Sequence, residues 1–132
     1  MKKWLSVILS IVMLCTVLGG GASFAFAATA ATSGSCGDNI KYNIDTGTGV
    51  LTLTGSGATN NYSYMNVNIG SSMKRCPWYD SRDSIKRVVI SEGVTVLGNY
   101  LFFEMTSVQT VILPSTVTGV NRYAFAGCTA LS

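Results

Sequence analysis

The 132-residue chain contains no histidine. That absence removes Ser-His and Cys-His nucleophilic pairs, His-ligated zinc and the commonest general base. Charge is also scarce, with nine Lys and Arg against six Asp and Glu, a formal net charge of +3. Without Lys2 and Lys3, set aside below, the count is seven against six, a net charge of +1. Lys74, Arg75, Arg82, Lys86 and Arg87 form only a loose cluster, so no basic stripe for nucleic acid is present. The polar character comes from Ser, Thr, Asn and Gly, which suits an exported β-rich protein.

Short motifs exclude more than they assign. Asp45-Thr46-Gly47 has the letters of an aspartic-protease triplet, but a second such element is missing, and Asp, Thr and Gly are turn formers. Asp80 and Asp83 are better read as solvating the entry to the next segment, balanced by Arg82 and Lys86, than as paired catalytic carboxylates. Gly47-Thr48-Gly49 and Gly55-Ser56-Gly57 open no helix and are followed by no lysine, so neither cradles phosphate. Asn61-Tyr62-Ser63 has the form of a glycosylation sequon and is read as loop chemistry. No calcium loop of alternating Asp and Asn is present. No catalysis, metal or cofactor is expected.

Met1–Ala27 reads as an export signal. Lys2 and Lys3 begin it, Trp4 to Leu18 is an uncharged apolar run, and Ala25-Phe26-Ala27 fits the small-x-small cleavage rule. The run is short for a membrane helix, which needs about 20 residues. Leu14 before Cys15 argues against a lipid anchor. The membrane is therefore expected only as a transient contact of this segment. Three cysteines remain, Cys36, Cys76 and Cys128, spaced too far apart for a zinc site. An odd count leaves at least one thiol unpaired. Cys36 and Cys76 form either a disulfide or two reduced core side chains, and spacing alone does not decide.

What the chain does have is a repeat. Ser84–Thr106 and Ser107–Thr129 align with a 23-residue period. Ile85 matches Val108, Val88 matches Val111, Ile90 matches Leu113, Val94 matches Val117, Leu97 matches Val120, Tyr100 matches Tyr123 and Phe102 matches Phe125. Ala130-Leu131 begins a third, truncated copy. A fixed period of this size is the mark of a solenoid, a scaffold that presents extended binding surfaces. Phe102 and Phe125 are expected to be buried as a spine between rungs. Cys128 falls where Met105 falls one repeat earlier, an apolar packing position. Upstream, Ile40–Ile44 and Val50–Thr54 alternate apolar and polar residues around a Gly-containing turn, which predicts a β-hairpin. Thr59 to Lys74 reads as a long polar loop.

In Ile85-x-x-Val88-x-Ile90 the spaced apolar residues point inward and the intervening ones outward. Arg87 and Val89 of one rung, with Thr110 and Ile112 of the next, are thus the candidate exposed binding face. The pattern resembles the BspA-type leucine-rich repeat family of bacterial surface proteins. The residues that carry the resemblance are Val108-Gln109-Thr110-Val111-Ile112-Leu113-Pro114, Val117-Thr118-Gly119-Val120, Ala124-Phe125 and Gly127-Cys128. Gly34–Asn39, Leu51–Gly57 and Pro77-Trp78 resemble the β-rich cap that often precedes such repeats. The first repeat departs from the pattern at Leu101, Glu104 and Met105, which implies a looser rung.

The expected fold is mainly β, a leucine-rich repeat solenoid preceded by a small hairpin-containing cap. The expected units are residues 1–27, signal; 28–83, cap; and 84–132, repeats. The resemblance implies an adhesin-like binding protein, secreted or at the cell surface, with an extracellular protein or glycan partner. An accessory region of a larger glycan-active enzyme and a structural spacer are the alternatives. Further sequence beyond Ser132 is expected, as is fraying or self-association through the uncapped last rung.

Overall fold

The computed structural model describes residues 31–64 and 74–132. The export segment and the middle of the polar loop lie outside the described residues. Among the described residues, eight strands run β1 (Ser33–Ser35), β2 (Ile40–Asp45), β3 (Val50–Gly55), β4 (Gly57–Ala58), β5 (Arg87–Ile90), β6 (Val94–Leu97), β7 (Thr110–Ile112) and β8 (Gly119–Val120). They make a five-stranded sheet ordered β1-β2-β3-β5-β7 and a three-stranded sheet ordered β4-β6-β8.

The hairpin forms where the alternation predicts it. β2 pairs antiparallel with β3, with Ile44 opposite Leu51 and Tyr42 opposite Leu53. Asp45 shapes the turn: its Oδ1 accepts from the Gly47 N–H at 2.9 Å and the Thr48 N–H at 3.2 Å. That is the turn role expected of the Asp-Thr-Gly triplet. The side-chain hydrogen bond from Thr48, followed by these amides, lowers the Asp45 pKa.

From β3 onward every step is parallel. Leu51 lies opposite Val88, which lies opposite Val111. Val111 follows Val88 by one repeat period, whereas Val88 follows Leu51 by more than one and a half. The hairpin strand therefore acts as an earlier rung that carries an insertion. That rung continues into the supposed loop. Gly57 of β4 pairs with Val94, and Val96 pairs with Gly119. Thr59 is buried, and its Oγ1 accepts the Gly98 N–H at 2.7 Å. Gly98 is required here, because a Cβ would collide with the Asn60 carbonyl of the rung below. The start of the polar stretch is therefore wall, not loop. Asn61 of the sequon takes part, accepting the Asn99 N–H at 2.9 Å.

The side of the coil away from the five-stranded sheet carries its own backbone ladder. Tyr62 N–H donates to the Asn99 carbonyl, and Tyr100 N–H to that of Arg122. Phe102 and Glu104 donate in the same sense to Ala124 and Ala126. Tyr100 and Tyr123 recur there at φ of 54° and 58°. Glu104 (φ 55°) takes the left-handed conformation that Gly127 (φ 81°) takes one rung later. An acidic residue is strained in that region. Its carboxylate accepts the Tyr79 hydroxyl at 2.8 Å, a contact glycine could not make.

The core is a stack. The Phe102 and Phe125 rings lie 5.1 Å apart and nearly parallel, and Trp78 extends the column at 5.8 Å from Phe102. Trp78 is fully buried, and its indole N–H donates to the Leu101 carbonyl at 3.1 Å. The expectation of burial holds fully for Phe102 and only in part for Phe125. The looser first rung is a further correction. Leu101 and Met105 are both 0% exposed, because the larger side chains fill the space between two neighbouring rungs.

The cysteines are free thiols: Cys36 and Cys76 are buried, and Cys128 is half-buried with its Sγ 3.0 Å from the Phe102 carbonyl oxygen. Burial pushes the Cys36 and Cys76 thiols up to about 12. Arg82, next to Asp83 in the chain, makes its direct contacts with Tyr79. Its guanidinium lies 4.1 Å from the Tyr79 ring centroid and donates to the Tyr79 carbonyl at 2.8 Å.

Candidate binding face

Strand alternation sends every second residue of the large sheet inward. Tyr42, Ile44, Leu51, Leu53, Val88 and Ile90 are buried. The residues between them face out and line up in register across the strands. One row runs Ser33, Asn43, Thr52, Val89, Ile112. The next runs Asp45, Val50, Arg87, Thr110. Adjacent members of a row sit one strand spacing apart, about 4.8 Å.

The four residues expected on this face are thus brought together. Arg87 lies opposite Thr110, and Val89 opposite Ile112. Arg87 and Thr110 are exposed, Val89 is half-buried and Ile112 is 39% exposed. The Arg87 guanidinium meets no acceptor among the described residues. The aliphatic pair forms the apolar part of the surface and Arg87 its cation.

The repeat pattern confines the face to the repeats and so misses the hairpin's share. Asn43, Asp45, Val50 and Thr52 continue the same two rows. The signal is present in the alternation of β2 and β3, but it becomes meaningful only once β3 is seen to pair in parallel with β5. The opposite side of the coil holds a separate aromatic column, in which Tyr64, Tyr100 and Tyr123 follow at 5.7 and 5.1 Å. Tyr100 and Tyr123 are stacked, and Tyr64 is tilted against Tyr100. Among the described residues, no group of three or more His, Cys, Asp or Glu is placed to hold a metal.

A parallel coil of short strands with a 23-residue period defines a leucine-rich repeat protein. The model of the BspA type Leucine rich repeat region (6 copies) matches residues 41–132, and the chain belongs to that family. Its match begins inside β2, where the sheet is already continuous with the repeats. A solved leucine-rich repeat protein from Eubacterium ventriosum is similar at 32% identity over 74% of this chain, with a TM-score of 0.58. The chain spans 24% of the length of that protein. No curated protein matches.

Proposed function

We propose that this chain is an exported bacterial binding protein, adhesin-like and non-catalytic, that holds an extracellular partner on the outer face of its five-stranded sheet. The observation that carries the reading is the register that aligns Arg87, Val89, Thr110 and Ile112 in two adjoining rows. A rigid sheet fixes those side chains without loop ordering, which lowers the entropy cost of binding. The 28–83 segment would serve as the cap that closes the hydrophobic stack at its N-terminal side while lending its outer residues to the same face. Export rests on the tripartite Met1–Ala27 segment, with cleavage after Ala27.

The test has two arms. Fractionation of expressing bacteria, followed by N-terminal sequencing, should find the protein outside the cytosol and beginning at or near Ala28; full-length cytosolic protein would refute export. In solid-phase binding to immobilised extracellular-matrix protein and to cell-wall polysaccharide, the chain should bind at least one. A variant carrying Arg87→Ala, Val89→Ser, Thr110→Ala and Ile112→Ser should lose that binding while keeping its circular dichroism. Binding unchanged in that variant would move the site off this face.

A further inference from the structure

The chemistry of the face narrows the partner. Building on the face reading above, we infer that the occupant is an extended protein segment carrying a carboxylate and an aliphatic side chain two residues apart. Arg87 and Val89 stand two residues apart on β5 and point to the same side. The separation along the strand is about 6.7 Å. An extended segment repeats its own side chains on one side at that same interval, so an acid-x-aliphatic sequence matches it position for position.

Each element of the match has a separate cause. Arg87 is an exposed guanidinium that meets no acceptor among the described residues. A carboxylate answers it through two parallel N–H···O bonds, the geometry in which arginine is strongest. Val89 and Ile112 lie side by side across β5 and β7 and offer branched methyl surface. A leucine, isoleucine or valine side chain covers such a surface and removes it from water. Thr110, beside Arg87, supplies a hydroxyl that both donates and accepts.

The charge pattern along the row adds a direction. Asp45 lies two strands from Arg87, with Val50 between them. Its hydrogen-bonded turn favours the ionised form, so it stays negative at neutral pH. A carboxylate delivered to the face is therefore repelled from the Asp45 end of the hairpin, and of the outward cations Lys41 on β2 and Arg87 on β5, Arg87 is the one beside the Val89–Ile112 pair. The segment is placed over the repeats, with its acid on Arg87 and its aliphatic residue between Val89 and Ile112. The aromatic rings that a saccharide would stack on lie elsewhere, on the far side of the coil, where Tyr64 is 44% and Tyr123 is 53% exposed.

The test is a selection. The secreted full-length chain, immobilised, is panned against a random nine-residue peptide display library, in parallel with its Arg87→Gln/Ile112→Ser variant. Sequences of the form Asp/Glu-x-Leu/Ile/Val should be enriched by the wild type and not by the variant. A synthetic fluorescent peptide carrying one such triplet should bind in polarisation assays. Its Glu→Gln analogue should bind about tenfold or more weakly, the scale of a lost charge-assisted bond. Arg87→Lys should recover only part of the affinity, since lysine cannot form the paired bonds. Enrichment of the same sequences by both proteins, or of sequences without an acid, overturns the inference. Binding of chito-oligosaccharide or of a neutral glucan that depends on Arg87 and Ile112 also overturns it, yet leaves the face reading standing. No binding by either probe class that depends on those residues removes both.

Discussion

The two complete repeats have nearly the same sequence pattern and very different burial. In Ser84–Thr106, Val88, Ile90, Leu97 and Phe102 are all at 2% exposure or less. At matching positions in Ser107–Thr129, Leu113 is 47% exposed, Val120 is 52% exposed, and Val111 and Phe125 are half-buried. The residue types barely change. What differs is that the first repeat has a rung on each side and the second has only one among the described residues. Burial in this fold is therefore a property of position in the stack, supplied by neighbours, and not of the repeat itself.

Truncating the two spine aromatics in turn tests that contrast most directly. Phe102→Ala should cost about 3–5 kcal/mol in chemical denaturation, as for other buried aromatics. Phe125→Ala, covered on one side only, should cost about 1–2 kcal/mol, in proportion to the smaller area it removes from water. Equal losses would mean that the second rung is as enclosed as the first.

Alkaline stability probes the hairpin side of the stack, where Cys36 and Cys76 are buried. Both thiols are held up to about 12 in the fold by burial. In the unfolded chain they ionise at about pH 8.5. Between those values the unfolded state has released its protons and the folded state has not, so stability falls as pH rises. The buried Tyr62, whose pKa burial raises, acts in the same sense at higher pH. Two thiols give a slope of roughly 2.7 kcal/mol per pH unit. Urea midpoints across the alkaline range should show the decline, and Cys36→Ala/Cys76→Ala should flatten it. A slope unchanged in that variant would assign the decline to other groups.

Thr59→Val tests the earliest rung. The exchange keeps the shape and removes the acceptor of the Gly98 N–H. A buried amide left without a partner costs about 1–3 kcal/mol. A loss below about 0.5 kcal/mol, on the scale of ordinary surface changes, would return this segment to the status of a loop. The smallest effect is expected at Leu113, already about half exposed: Leu113→Ser should stay within about 0.5 kcal/mol of wild type by the same denaturation assay.

Much of this was legible in the residues, and the exceptions have physical reasons. The aromatic register of Phe102 and Phe125 could be read because identical offsets stack identical side chains. The hairpin could be read because period-two alternation has one structural outcome. The earliest rung could not. Gly57, Ala58 and Thr59 carry no large apolar side chain, and an insertion breaks the period between Leu51 and Val88. That segment is held by backbone pairing, the Thr59 hydroxyl and the Asn61 side-chain oxygen, none of which leaves a hydropathy signal. The candidate face was half legible for the same reason. Arg87, Val89, Thr110 and Ile112 followed from the repeat, whereas Asn43, Asp45, Val50 and Thr52 joined them only through a pairing between distant strands. The contact of Arg82 with Tyr79 was not legible, because charge counting does not see rings or carbonyls.

The ladder on the far side of the coil makes the molecule directional. Tyr62, Tyr100, Phe102 and Glu104 all give their N–H groups toward the C-terminal rung. Along that side the coil thus resembles a filament with a plus and a minus end, donors facing one way and acceptors the other. A twofold pairing of two such plus ends would set like groups against each other along that side.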